Sequence, residues 1–143
     1  MERNFRLESI LNLREHVLNR ERDKLINLNN IKDELLDKKA SINKTVEINI
    51  NELELYKSRG KFEYITIYEN YLYNLNVKIA EIDKYLIKLD SEIDRQMKVV
   101  FEARKEKKIM EKLKENHIDS YEKLQKRLEE KFIDEINTIK YNK

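Results

Sequence analysis

The chain has 143 residues, of which 41% are charged, and its 30 basic and 28 acidic side chains leave a net charge of only +2. Charges of both signs are interspersed, and a single Gly with no Pro is a composition typical of long helices rather than a compact globule. No Cys is present, which excludes disulfides, thiol catalysis and cysteine metal sites. No apolar run is long enough for a membrane span, and no signal-peptide core follows the charged first residues, so we expect a cytoplasmic protein.

Apolar residues repeat every seven positions in the first half of the chain. One series consists of Leu11, Leu18, Leu25, Lys32, Lys39, Val46 and Leu53, and its companion places Leu28, Leu35 and Ile42 between Arg14 and Tyr56. Paired series of this kind are the a and d positions of a coiled coil, so we predict a helix over about residues 4–58. Residues 44–51 alternate like a strand, but a lone strand has no partner here, and we interpret them as helix.

The segment from Lys57 to Lys61 is the only strong break in the helical pattern. Gly60 enters the left-handed conformation freely, so it is the natural residue just after a helix that ends near Arg59. Thr66 and Glu69 have the spacing of a capping box, which starts a second helix at Thr66 or up to about four residues earlier. We therefore predict a short turn at about residues 59–62.

Two seven-residue series also run through the second half of the chain. They are Ile65, Leu72, Ile79, Leu86, Ile93 and Val100, and Tyr68, Leu75, Ile82 and Leu89. They predict a helix over about residues 63–141, antiparallel to the first because the connection is short. With the turn centred on Gly60, residue i lies opposite about residue 120 − i. The start of the first helix then lies opposite about His117, and the second helix continues beyond it without a partner. The predicted fold is all-α: a single domain over residues 1–143 in which two long helices form an antiparallel coiled-coil hairpin, the second overhanging at the C-terminus.

Aromatic residues crowd around the predicted turn. They are Tyr56, Phe62, Tyr64, Tyr68, Tyr71 and Tyr73. One interpretation is that these rings fold over the end of the hairpin and shield its core. The other is that they form a docking patch, because aromatic clusters exposed on a polar surface often mark partner sites.

The last 25 or so residues have no helix opposite them in the predicted hairpin, yet they carry an apolar stripe. It consists of Tyr121, Leu124, Leu128, Phe132, Ile136 and Ile139, with a slip of phase between Leu128 and Phe132. An unpaired amphipathic helix predicts a surface that a partner covers.

The residues that carry enzyme chemistry are not assembled in this sequence. His16 and His117 are the only histidines, the many carboxylates lie on a coiled coil without a cleft, and one Gly cannot form a phosphate-binding loop. We predict no catalytic, metal-binding or cofactor-binding residues and no enzyme activity. Acidic residues interrupt the basic ones between Arg104 and Arg127, which disfavours a tether for RNA or DNA, so we expect no nucleic-acid partner.

Several segments resemble the FliJ family of flagellar export proteins. Phe5-Arg6-Leu7 with residues 10–15, Ile-Leu-Asn-Leu-Arg-Glu, is similar to the family's opening. The family's C-terminal signature is similar to residues 104–108, Arg-Lys-Glu-Lys-Lys, together with residues 110–114, Met-Glu-Lys-Leu-Lys. The C-terminal end of the family's sequences is similar to Lys131 with residues 134–136. Residues 68–72 with Leu75 look like the family's segment after the turn. Length, order and hairpin layout agree along the whole chain.

The resemblance implies an accessory protein of the flagellar type III export apparatus. Proteins of this family resemble the central stalk of rotary ATPases: the terminal helices enter the pore of the hexameric export ATPase, and the hairpin tip reaches the export gate protein FlhA. Binding in the family promotes ring assembly and couples ATP hydrolysis to secretion, and escort of export chaperones is also attributed to it. The protein is then expected at the inner-membrane export apparatus, held peripherally through protein contacts.

The resemblance also implies which residues bind. Contacts with the export gate are expected at the tip, from Tyr56, Tyr64, Tyr71, Tyr73 and Leu75. Contacts with the ATPase ring are expected at the two ends, from Phe5, Leu7, Leu11, Arg14, Tyr121, Lys123, Leu124, Arg127, Leu128, Lys131 and Phe132. The alternative remains a generic structural coiled-coil spacer, or the stalk subunit of a rotary ATPase or a virulence secretion system.

Overall fold

The computed structural model describes residues 4–141, which form two long helices that pack against each other. Helix α1 spans Glu8–Ser58, a short 3-10 helix spans Phe62–Tyr64, and α2 spans Ile65–Tyr141. No strand occurs within residues 4–141, so the prediction of an all-α helical hairpin is confirmed. Contacts within the chain group the residues into two units, one of residues 1–21 with 99–143 and the other of residues 22–98, and each is described by itself.

The unit of residues 22–98 has its core at the predicted a and d positions. The side chains buried in it are Leu53, Leu75, Ile82, Leu86, Leu89 and Ile93. Lys32 and Lys39 occupy a positions of α1, where their stems are half-buried and their ammonium groups reach carboxylates of α2. Lys32 Nζ lies 2.8 Å from Asp90 Oδ1, and Lys39 Nζ lies 2.6 Å from Asp83 Oδ1. Because both pairs are seven residues apart on each helix, they repeat with the heptad.

The unit of residues 1–21 and 99–143 is built on the same plan. Its buried side chains are Leu11, Leu18, Glu21, Val100, Ala103 and Met110. Here the seam lysines belong to α2: Lys114 Nζ lies 2.9 Å from Glu8 Oε1, and Lys107 Nζ lies 3.7 Å from Glu15 Oε1. The two lysines are again seven residues apart, as are their carboxylate partners.

Cross-helix pairs give the register of the hairpin. The predicted register places residue 88 opposite Lys32 and residue 81 opposite Lys39, and the observed partners are Asp90 and Asp83. The register predicted from a turn centred on Gly60 is therefore correct to within about two residues in this unit.

The turn that ends α1 is closed by a Schellman motif. Gly60 is the only described residue with a positive φ, at 73°, and it follows α1 after Arg59. The amide of Lys61 donates to the carbonyl of Tyr56 at 3.0 Å, and the amide of Gly60 donates to that of Lys57 at 3.3 Å. These two bonds satisfy carbonyls that the helix end would otherwise leave unpaired.

The start of α1 differs from the predicted one, whereas α2 starts within its predicted range but without the predicted cap. Helix α1 begins at Glu8 rather than near residue 4, because the amide of Glu8 donates to the carbonyl of Phe5 at 3.1 Å and the chain before it turns. Helix α2 begins at Ile65, which already has helical φ and ψ of −60° and −48°. Thr66 therefore lies inside the helix and is not its N-cap, since an N-cap residue needs non-helical φ and ψ.

The strand-like residues 44–51 are helical, as predicted. Two side chains in this stretch bond back to their own helix: Thr45 Oγ1 donates to the carbonyl of Ser41 at 3.1 Å, and Asn49 Nδ2 donates to that of Thr45 at 2.7 Å. Asn49 is half-buried at a core position, and this bond satisfies part of its amide without a partner on α2.

Candidate binding surfaces

Three tyrosines pack together where the two helices meet the turn. The ring of Tyr56 has its centroid 5.2 Å from that of Tyr64 and 5.3 Å from that of Tyr68. The hydroxyl of Tyr68 donates to Glu52 Oε2 at 2.9 Å. This bond to a carboxylate, with desolvation as the next cause, raises the pKa of Tyr68 to about 12. Tyr56, Tyr64 and Tyr68 therefore have the arrangement expected of rings that cover the end of the core.

The other aromatic residues near the turn remain exposed. Phe62 and Tyr73 are 71% and 69% exposed, and Tyr71 is 45% exposed. Tyr64, the outermost ring of the packed group, is exposed to a similar extent as Tyr71. We call Phe62, Tyr64, Tyr71 and Tyr73 the turn surface. Leu75 is buried at a seam position, so it is not presented on this surface.

Residues from both ends of the chain come together in the unit of residues 1–21 and 99–143. The ring of Phe5 lies 5.7 Å from that of His117, and Asn4, Phe5 and Tyr121 line one groove. Leu7 is exposed. Leu11 is buried in the seam, and Arg14 Nη1 lies 2.8 Å from Glu106 Oε2, so these two residues hold the helices together.

The apolar stripe at the end of α2 runs from half-buried to fully exposed. We call Tyr121, Leu124, Leu128, Phe132, Ile136 and Ile139 the C-terminal stripe. Tyr121 and Leu124 are half-buried, whereas every residue from Gln125 to Tyr141 is exposed. Leu128 is 52% exposed and Phe132 is 63% exposed. The basic residues Lys123, Arg127 and Lys131 are exposed along the same stretch.

One surface was missed by the sequence reasoning. Phe101, Ile109 and Leu113 are exposed on α2 and share a groove with Arg104, Lys105, Lys108 and Lys112. The signal that could have found it is the spacing of eight and four residues between the apolar members, which returns to one face of a helix. The heptad series indicates only the face of α2 that packs against α1, and this surface lies outside that face.

The described residues hold no group of three or more His, Asp or Glu side chains that could bind a metal ion. Within residues 4–141, neither helix has a stretch that is both long and apolar enough to cross a membrane. The surfaces described above present exposed aromatic and aliphatic side chains among charged ones, which suits contacts with other proteins.

Comparison with known proteins places the chain in one family. No curated protein and no solved structure matches it. The family model described as the flagellar FliJ protein matches residues 3–143, nearly the whole length. The match agrees with the helical hairpin and supports a role associated with flagellar protein export. The chain thus belongs to the flagellar FliJ family.

Proposed function

We propose that this chain is a stalk-like component of the flagellar export apparatus that binds the hexameric export ATPase at one end and the export gate protein FlhA at the other. In this role it promotes assembly of the ATPase ring and couples ATP hydrolysis to secretion. It works in the cytoplasm and is held at the inner-membrane apparatus through these protein contacts, with export chaperones as further partners. The observation that carries the proposal is the exposed helix from Gln125 to Tyr141, which continues an apolar stripe beyond the paired seam.

The ATPase is the partner proposed for the two ends of the chain. Leu128 and Phe132 supply exposed apolar anchors, and Lys123, Arg127 and Lys131 supply positive charge for acidic loops in the pore of the ring. Phe5 and Leu7 lie in the same unit as Tyr121 and Leu124 and add an apolar edge. Leu11 and Arg14 act indirectly in this proposal, since the first is buried and the second is bonded to Glu106.

The export gate protein is the partner proposed for the turn surface. Tyr71 and Tyr73 are exposed aromatic side chains outside the core positions, so they are available to fill pockets on a partner. The ring of Tyr56 packs against that of Tyr64, and Leu75 is buried at the seam, so in this proposal the two contribute indirectly, by stabilising the end of the hairpin that carries the exposed rings.

Deletion of residues 125–143 tests the ATPase contact. The cut removes only exposed residues of α2 among those described, so helicity per residue and binding to the export gate protein are expected to persist. Stimulation of ATP hydrolysis and of ring assembly is expected to be lost, because the apolar anchors Leu128 and Phe132 and the basic residues Arg127 and Lys131 leave with the segment. A truncated protein that still stimulates the ATPase fully would contradict the proposal at this end.

A double substitution, Tyr71→Ala with Tyr73→Ala, tests the gate contact. Both rings are exposed, so the melting temperature should change little while the dissociation constant for the export gate protein rises by about tenfold or more. Tyr85→Ala is the matched control, because Tyr85 is a tyrosine of α2 farther along the chain whose exposure, 56%, lies between those of Tyr71 and Tyr73. If the double variant loses stability and binding in the same proportion, or if Tyr85→Ala weakens binding as much, the turn surface is not the docking site.

A further inference from the structure

The spacing of the C-terminal stripe is the same read in either direction. The intervals between its six residues are three, four, four, four and three, so the pattern is symmetric about residue 130. On an α-helix these positions lie within about 120° of the circumference and form one continuous face. A face with this symmetry is complementary to a copy of itself turned end to end.

We propose that residues 121–139 of two copies of this chain pair antiparallel and form a homodimer through the C-terminal stripe. Centred on residue 130, the pairing packs Leu128 against Phe132 of the second copy, Leu124 against Ile136, and Tyr121 against Ile139. Each layer occurs twice because the interface is isologous. Such layers, with an early position of one helix against a late position of the other, are those of an antiparallel coiled coil.

Charge favours the antiparallel arrangement over the parallel one. Residues 121–128 carry three basic side chains, Lys123, Lys126 and Arg127, and one acidic side chain, Glu122. Residues 132–139 carry two acidic side chains, Asp134 and Glu135, and no basic one. Antiparallel pairing brings the basic half beside the acidic half, whereas parallel pairing brings like charges together.

A second copy is the occupant because the chain's own first helix does not extend along this stretch. Helix α1 begins at Glu8, which is bonded to Lys114, and every described residue beyond Leu124 is exposed. The paired stretch is only about 27 Å long, at about 1.5 Å per residue, so the interface is small and the dimer is expected to depend on concentration. Self-association would cover the side chains proposed to contact the ATPase, so the two states exclude each other.

Sedimentation of the full chain over a range of concentrations tests the dimer without any partner present. The wild type is expected to show a monomer–dimer equilibrium, and Phe132→Ser should raise the dissociation constant by about a hundredfold, because the ring is lost from two layers and each loss costs about tenfold. Phe101→Ser is the matched control, since Phe101 and Phe132 are 62% and 63% exposed. A chain that stays monomeric at all concentrations, or an equal effect of the two substitutions, would overturn the proposal.

Cysteine pairing tests the direction and register, because the chain has no native cysteine. Leu124→Cys mixed with Ile136→Cys should give a disulfide-linked pair, whereas either variant alone should not. In the antiparallel pair, two copies of residue 124 lie about 18 Å apart along the helix axis, beyond the Cα separation that a disulfide spans. Faster linkage of Leu124→Cys to itself than to Ile136→Cys would indicate parallel helices and overturn the proposal.

Discussion

At the scale of single residues, Tyr68 has the most distinctive environment near the turn. Its hydroxyl donates to Glu52 at 2.9 Å, and its pKa rises from the usual value of about 10 to about 12. A group whose pKa is higher in the folded than in the unfolded chain stabilises the fold fully below its unfolded pKa. The contribution of Tyr68 is therefore complete below about pH 10 and is lost as the pH rises from about 10 to about 12.

Tyr68→Phe is expected to remove this pH dependence. The wild type should lose stability more steeply than the variant above about pH 10. The difference between the tyrosinate absorbance of the wild type and that of the variant should titrate near pH 12, because it comes from Tyr68 alone. Urea unfolding at a series of pH values and ultraviolet titration provide the two measurements. Tyr85→Phe is the control, because Tyr85 is exposed. If this difference in absorbance instead titrates at the usual tyrosine pKa of about 10, the bond to Glu52 does not persist in solution.

Individual positions could be predicted from the sequence only where the heptad decides them. Leu75 lies seven residues after Tyr68, and its burial follows from that spacing. The contact of Tyr56 with both Tyr64 and Tyr68 does not follow, because it depends on how rings from two helices and the 3-10 helix meet at the turn. The division of the aromatic residues into a packed group and an exposed group therefore needed the structure.

At the scale of helices, the seam lysines favour a single register. Hydrogen bonding and charge attraction from Asp90 raise the pKa of Lys32, so the side chain keeps its charge at the half-buried seam position. In the observed register Lys32 pairs with Asp90 and Lys39 pairs with Asp83. The two lysines are seven residues apart, and so are the two aspartates. A slip of one heptad in either direction would leave one lysine and one aspartate of this set unpaired, so the four residues oppose the slip that the apolar series alone would tolerate.

Leu86→Asp and Ile87→Asp together test the paired seam. Leu86 is buried and its neighbour Ile87 is 71% exposed, so the two substitutions introduce the same charge one residue apart, once in the seam and once on the exposed side of α2. Leu86→Asp is expected to lower the free energy of unfolding by several kcal/mol, of order 3–4, and Ile87→Asp by about 0.5 or less. Urea unfolding followed by circular dichroism measures both. Similar costs for the two variants would mean that the seam does not run through Leu86.

Helix type and pairing could be predicted from sequence, whereas the start of α1 and the cap of α2 could not. The apolar series set the pairing because burying them requires a partner helix. The start of α1 depends on a turn between Phe5 and Glu8 in which the ring of Phe5 lies near His117, more than a hundred positions away in sequence. Local rules also selected Thr66 as a cap, but the 3-10 helix continues directly into α2 and makes that cap unnecessary.

At the scale of the whole molecule, we expect the chain to unfold as the single domain proposed from its sequence. Helices α1 and α2 each continue without a break from one unit into the other, and an uninterrupted helix propagates order along its length. Leu18→Asp in one unit and Leu86→Asp in the other should therefore shift one common thermal transition, measured by circular dichroism. Two separate transitions, each sensitive to only one substitution, would show that the units unfold independently.

The hairpin also has a consequence for synthesis on the ribosome. Tyr68 bonds to a residue made 16 positions earlier, whereas Lys114 bonds to Glu8, made 106 positions earlier. At roughly 10 residues per second, the first turns of α1 wait on the order of ten seconds for the partner stretch of α2 to be translated. During that interval Leu11 and Leu18 are without the apolar cover they have in the finished protein. The nascent chain is thus most exposed to misassociation and proteolysis at its oldest end, and a chaperone that protects it would act there first.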